Sequence, residues 1–248
     1  MRFCFLIIEF KSFFLRSVIP CVRALCTQDK PLSCIPMPVL PFSTNAEVER
    51  FAKAFLREHL ERFRKDIKIC LTRDNNKAHA YFPALMSCIS FVDLLSGLYA
   101  GKLEGHGLKE LKNYASKFMG AEYTAGRVDV LYECFRHKVA HLAQPYAVFD
   151  TQSKPNTFGG QGRRLITWTV RASGPRPPIQ IVAQSVPKQI LVAATPWPVQ
   201  YDHRAFVSVR SLASDVEKSA KKYLRCLATD AAARDNFKKC MVVYFPQC

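Results

Sequence analysis

The sequence predicts an α+β protein in which a helical part precedes a small antiparallel β-sheet and C-terminal helices. Apolar residues recur at helical spacing through residues 46–145, the pattern alternates after about residue 150, and helical spacing returns after about residue 210. Hydrophobic residues make up 49% of the 248 residues, enough for a sizeable core. We therefore predict an N-terminal extension and linker (1–45), a helical domain (46–145) and a β-rich region with C-terminal helices (146–248).

Four helices are predicted in the first half. Thr44 and Glu47 have the spacing of a capping box at the start of the first. The second, residues 84–100, is apolar on almost every side, which is typical of a core helix, and Asp93 argues against a membrane span. The third ends at Gly120. The fourth runs from about residue 128 to 143, with its core side formed by Val128, Leu131, Phe135, Val139 and Leu142.

The second half predicts strands and then helices. Ile166, Trp168 and Val170 alternate with polar residues, and similar alternation follows around Ile179 and Val207. Because the connections are too short for helical crossovers, we expect the sheet to be antiparallel. Ser214 and Glu217 have capping-box spacing before a long helix, and a shorter helix is expected from Thr229.

The first twenty residues are apolar and rich in phenylalanine. Glu9, Lys11 and Arg16 interrupt them, which predicts an extension, not a signal peptide or a stable membrane span. Ten cysteines are scattered without any C-x-x-C pair, so we expect reduced thiols in a cytoplasmic protein and no zinc knuckle.

The formal net charge is +16 at pH 7. The excess is densest in residues 146–210, which contain eight Lys and Arg residues against two acids. Such a field concentrates polyanions, so nucleic acid or an anionic membrane surface is the expected class of partner. A basic protein that is merely soluble is the alternative.

The fourth helix has an unusual second side. At about 100° per residue, the face opposite its core stripe holds Asp129, Glu133, Arg136, His137, Ala140 and His141. One interpretation is a surface helix with cations near its C-terminus, where the helix dipole favours them. The other is a functional face, because arginine can hold two phosphate oxygens and histidine can transfer a proton near neutral pH. Those two groups suffice for cleavage of RNA without a metal, within one chain or across a two-fold axis near Ala140.

The run Arg136-His137-Lys138-Val139-Ala140-His141 resembles the Arg, polar residue, spacer and His motif of the HEPN superfamily. The resemblance covers residues 46–145 and implies a four-helix domain, a homodimer and a metal-independent endoribonuclease without a cofactor. It also implies that Arg136 binds the scissile phosphate, that His141 acts as acid or base, and that His137 fills the polar position. Some members of the superfamily bind RNA or proteins without catalysis, which is the alternative function.

Several further residues are candidates. Asp93 and Glu133 are expected to support the site, Asp93 either as a structural partner or by orienting Arg136 or a histidine. Arg163 and Arg164, in the basic stretch GGQGRR, are candidate contacts to an RNA backbone. Lesser alternatives are a metal on His137 and His141, which Lys138 disfavours, base stacking by Trp197, and a second match to the motif spacing, which runs from Arg73 and Asp74 to His79.

Overall fold

The structure, a computed structural model, describes residues 42, 44–72, 80–137, 147–153, 162–190 and 198–245. The described helices and strands are, in chain order, α1 (Asn45–Leu71), α2 (Tyr81–Ala100), α3 (Leu108–Tyr114), α4 (Ala125–Val130), β1 (Phe149–Asp150), β2 (Leu165–Arg171), β3 (Ile179–Ile190), β4 (Val199–Ser208), α5 (Val209–Thr229) and α6 (Ala231–Tyr244). The α+β class is confirmed. Residues 138–143 of the fourth predicted helix lie outside the described residues.

Local signals place the ends of the first helices. The Thr44 hydroxyl accepts from the Glu47 amide, and the Glu47 carboxylate accepts from the Thr44 amide, so the predicted capping box begins α1. Gly101, with a φ of 73°, ends α2 in the left-handed conformation that glycine adopts without strain. A π-helical turn, Ala115–Met119, extends α3 up to Gly120.

Helix α2 lies at the centre of the fold. It packs against α1, α3, α5 and α6, so its apolar side chains are covered on several sides. Among the described residues, α2 is the one helix long and apolar enough to cross a membrane by length and composition, and 56% of its most apolar window is buried inside the protein. Packing against four neighbours explains why α2 is apolar on almost every side.

The sheet is mixed, in the order β1-β2-β4-β3, so the prediction of a wholly antiparallel sheet is wrong. Strands β3 and β4 are antiparallel, and so are β1 and β2, but β2 and β4 are parallel along the register from Ile166–His203 to Arg171–Ser208. The parallel pair needs no helical crossover here. The chain passes from β2 to the edge strand β3, and β4 then returns between them, a route that connection length alone did not reveal.

The C-terminal helices complete the helical core. Helix α5 begins at Val209, directly after β4, so Ser214 lies within the helix and the capping box predicted there is wrong. Asp230 caps α6 by accepting from the Ala233 amide. Both helices contact α1 and α2, and residues 40–248 belong to one compact unit. Described helices from both sides of residue 145 therefore share one core.

The five described cysteines are free thiols. Three of them, Cys88, Cys134 and Cys240, are buried in the core. Burial raises the pKa of Cys134 to about 12 and that of Cys240 to about 11. Few thiolates therefore form at neutral pH, and solvent does not reach the sulfur atoms.

We expect Cys88, Cys134 and Cys240 to resist alkylation by iodoacetamide at pH 8 in the folded protein and to react fully in denaturant. Cys70 and Cys226, which are partly buried, should react faster and provide the internal comparison. Peptide mass spectrometry at successive times measures each site. Modification of the three core cysteines as fast as Cys70 would contradict their burial.

Candidate functional site

The predicted outward face of the fourth helix is partly an interior face. Helix α4 passes at Leu131 into a π-helical segment, Leu131–His137, whose hydrogen bonds skip one residue more than those of an α-helix. The angular positions of these residues around the helix axis therefore depart from the spacing of about 100° per residue that an α-helix has. Asp129 is fully buried, with Lys112 of α3 at 2.6 Å from its carboxylate, and Glu133 is 3% exposed. The prediction that these two acids face solvent is wrong, because α3 packs against α4 at Asp129 and α2 packs against the π-helical segment that contains Glu133.

Arg136 joins the π-helical segment to α2. Its Nη2 donates to Oδ2 of Asp93 at 3.0 Å, and its Nε lies 2.8 Å from Oδ1. Its Nη1 donates to the Tyr132 hydroxyl at 3.0 Å. The guanidinium is thus held on two sides, while its side chain remains 24% exposed. The structure brings together Asp93 and Arg136, the pair for which the sequence left a structural or an orienting role open.

His106 is the second residue that contacts the Asp93 carboxylate. Its Nε2 lies 3.0 Å from Oδ1 of Asp93, and its side chain is only 7% exposed. A Cβ on Gly97 would lie 2.7 Å from the Lys102 carbonyl oxygen and 3.3 Å from the His106 ring. Glycine at position 97 therefore lets the loop between α2 and α3 fold back over α2. We call Asp93, His106, Tyr132 and Arg136 the Asp93 cluster.

The charges in the Asp93 cluster depend on each other. Burial alone would raise the pKa of Asp93, but its contacts with His106 and Arg136 outweigh burial and lower the pKa below its usual value. The contact with Asp93 raises the pKa of His106, against the opposing effects of burial and of the Arg136 charge. Asp93 is therefore an anion at neutral pH, in contact with the Arg136 cation and with an imidazole whose protonated form it favours.

Other predicted site residues do not join this cluster among the described residues. His141, Trp197, the second motif match at residues 73–79 and the side chain of His137 lie outside them. Arg163 forms an ion pair with Asp150 at 2.9 Å, across the start of the sheet. The Arg164 backbone is fixed by Thr151, whose hydroxyl accepts from its amide. The roles of Arg163 and Arg164 in RNA binding remain predictions.

Comparisons with known proteins give no support for any family. No family model, curated protein or solved structure matches this chain. The resemblance to the HEPN superfamily therefore rests on the residues of the motif alone. Within the described ranges, no group of three or more His, Cys, Asp or Glu side chains is arranged to hold a metal ion.

A second candidate site is the exposed face of α5. At 100° per residue, its buried residues occupy one side and its cations the other. The exposed side has five basic residues within an arc of about 120°, which we call the α5 basic face: Arg210, Lys218, Lys221, Lys222 and Arg225. Glu217 is the one acid on that side, since Asp215 is buried. From Arg210 to Arg225 the face extends about 22 Å along the helix.

Four of these cations have no ion-pair partner among the described residues: Arg210, Lys221, Lys222 and Arg225. Lys218 lies 3.7 Å from Asp215, which Arg176 already holds at 2.6 Å. The charge of the α5 basic face is therefore largely uncompensated, in contrast to that of Arg136. This arrangement can bind successive anionic groups along the helix.

Sequence reasoning missed both His106 and the α5 basic face. The run Gly105-His106-Gly107 was the signal for His106, because glycines on both sides allow a loop to bring an imidazole against a helix. The α5 basic face could have been found by placing Arg210, Lys218 and Arg225 on the helical wheel of the predicted C-terminal helix.

The Asp93 cluster predicts the pH dependence of stability. Because Asp93 raises the pKa of His106 only in the folded protein, protonated His106 contributes fully below its ordinary pKa of 6.5. The contribution is lost as pH rises through the higher folded-state value. We expect His106→Gln to lower the free energy of unfolding by about 1.5 kcal/mol at pH 5, and by clearly less at pH 9.

His59→Gln is the matched control, measured by denaturant unfolding at both pH values. Burial lowers the pKa of His59, so folding favours its neutral form and protonation destabilises the native protein as pH falls below 6.5. The loss caused by His59→Gln should therefore be smaller at pH 5 than at pH 9, opposite to His106→Gln. Equal losses from His106→Gln at the two pH values would refute the charged contact with Asp93.

Proposed function

We propose that this chain is a non-catalytic RNA-binding module that contacts the phosphate backbone through the α5 basic face. The observation that carries the proposal is the row of uncompensated cations on one side of a single rigid helix. A rigid row of cations releases counterions from several phosphates at once, with little loss of backbone freedom on binding. The overall charge of +16 draws polyanions to the protein before contact.

A membrane surface fits α5 less well than a nucleic acid does. Interfacial helices insert an apolar face between lipids. The apolar side of α5, including Leu212, Val216 and Leu227, is buried against the helical core and cannot be inserted. RNA is favoured over DNA by the resemblance of residues 136–141 to the HEPN motif, a family that includes RNA-binding members.

Neutralising the far end of the α5 basic face should weaken RNA binding. We expect the triple substitution Lys221→Gln, Lys222→Gln and Arg225→Gln to lower affinity for a single-stranded RNA 20-mer by at least about tenfold in 50 mM salt. The negative slope of log K against log salt concentration should become less steep by about 2, or about 0.7 for each phosphate that the protein no longer neutralises. Fluorescence anisotropy at four salt concentrations measures both.

The matched control neutralises the same number of exposed cations elsewhere, through Lys53→Gln, Lys188→Gln and Lys239→Gln. Because it changes the net charge equally, it should reduce affinity only through the long-range field and leave the slope nearly unchanged. Equal losses in the two triple variants would show that α5 is no specific contact surface. If both triple variants bound phosphatidylserine vesicles and neither bound RNA, a membrane partner would be favoured.

Metal-independent RNA cleavage is the second candidate function. It is favoured by the orientation of Arg136, whose guanidinium is fixed by Asp93 and Tyr132 but remains partly exposed, and which precedes His141 by five residues in the sequence. Arg136 already donates two hydrogen bonds to these partners, and its Nε lies 2.8 Å from Oδ1 of Asp93, so its charge is largely compensated by Asp93. For that reason we place binding before cleavage.

Incubation with total RNA in EDTA separates the two functions. As a binding module, the native protein leaves RNA intact, and His141→Ala binds it with unchanged affinity. Cleavage by the native protein that is lost in both His141→Ala and Arg136→Lys would instead establish the endoribonuclease. Arg136→Lys keeps the positive charge but cannot form the two-pronged contact with Asp93, so its melting temperature must be compared with that of the native protein.

A further inference from the structure

A groove lies between the C-terminal part of α1 and the first turns of α5. Its volume is about 390 Å³, within the range of small-molecule sites, roughly 300–1,000 Å³. Its polar lining comes from both helices: Arg64, Lys68, Thr72, Arg210, Ser214 and Glu217. The groove therefore adjoins the N-terminal end of the α5 basic face, with which it shares Arg210.

The cations of the groove are not equivalent. Both Nε and Nη2 of Arg64 donate to Oε2 of Glu217, at 2.9 and 2.7 Å. This pair joins the two helices and compensates its own charge. Lys68 and Arg210 are exposed and have no ion-pair partner among the described residues. The uncompensated charge in the groove thus belongs to one cation from each helix, an arrangement suited to a phosphate group between them.

The remaining lining suits the rest of a nucleotide. The Thr72 hydroxyl donates to the Lys68 carbonyl oxygen at 2.7 Å, so its oxygen is left to accept, as from a ribose hydroxyl. Ser214 is exposed on α5 and can donate to a phosphate oxygen. Ile67, Leu71 and Ala213 complete the lining, and the half-buried Ile67 offers an apolar contact to a sugar or base, since Leu71 and Ala213 are themselves buried. One phosphate fills only a small part of the volume, and a phosphate with its nucleoside fits better.

We propose that the groove between α1 and α5 is a nucleotide site in which Lys68 and Arg210 bind the phosphate and the Thr72 oxygen accepts from the ribose. As part of a longer ligand, this site would hold one nucleotide of the strand that follows the α5 basic face, an extension that rests on the proposed RNA-binding function. The groove itself makes a separate claim, because a free nucleotide tests it without RNA.

Isothermal titration with AMP is the experiment, on the full chain. We expect the native protein to bind AMP, and Lys68→Gln with Arg210→Gln to bind it at least about tenfold more weakly, the effect of losing one charge-assisted hydrogen bond. The conservative pair Lys68→Arg with Arg210→Lys should retain most of the affinity. The control pair Lys188→Gln with Lys239→Gln, which removes the same charge outside the groove, should bind AMP like the native protein.

Three outcomes would overturn the groove site. They are no AMP binding by the native protein, equal binding of adenosine, which lacks the phosphate, and equal weakening by the control pair. The triple substitution at Lys221, Lys222 and Arg225 should leave AMP binding unchanged. AMP binding without RNA binding would sink the proposed function alone, and RNA binding without AMP binding would sink the groove site alone.

Discussion

Asp93 is the one charged residue of α2, a helix whose other sides are packed against four neighbours. A carboxylate at such a place is costly unless it is paired. Arg136 and His106 pair it from two directions, and in doing so they fix the π-helical segment after α4 and the loop before α3 against the central helix. The position of the whole cluster follows from the need to compensate this one carboxylate. The same need limits what Arg136 can do chemically, since a guanidinium that neutralises the partly buried Asp93 has less charge to offer a phosphate.

The elements that the sequence predicted well are those determined by their own residues. The Thr44 capping box and the glycines that end α2 and α3 act within one turn of the chain. The apolar run of α2 also requires no knowledge of its neighbours. The failures have a different cause. Asp129 is buried where α3 packs against α4, Glu133 is buried in the π-helical segment that packs against α2, and β2 pairs with β4 because β3 lies at the edge. Such facts depend on residues far away in the sequence, which periodicity does not report.

Ser214 and Glu217 illustrate how a local signal can be overruled. Their spacing is that of a capping box, yet α5 already begins at Val209, where the chain leaves β4. Glu217 instead binds Arg64 of α1, 153 residues away in the sequence. Tertiary packing gave both residues other surroundings, and the groove between α1 and α5 is one result. The assignment of Ser214 and Glu217 to a helix cap therefore gave no indication of the candidate site in this groove.

The uneven pairing of cations with acids explains why the excess positive charge lies on one face of the protein. Among the described residues, the buried carboxylates of Asp129 and Asp215 and the partly buried carboxylate of Asp93 are each held by a cation from another part of the fold: Lys112, Arg176 and Arg136. Those cations serve to join elements, and their charge is locally compensated. Lys221, Lys222 and Arg225 join nothing, and they lie together because the opposite side of α5 is committed to the core. The burial that orders the fold thus also determines where its excess positive charge meets solvent, and a polyanion is attracted to that face without any further specialised residue.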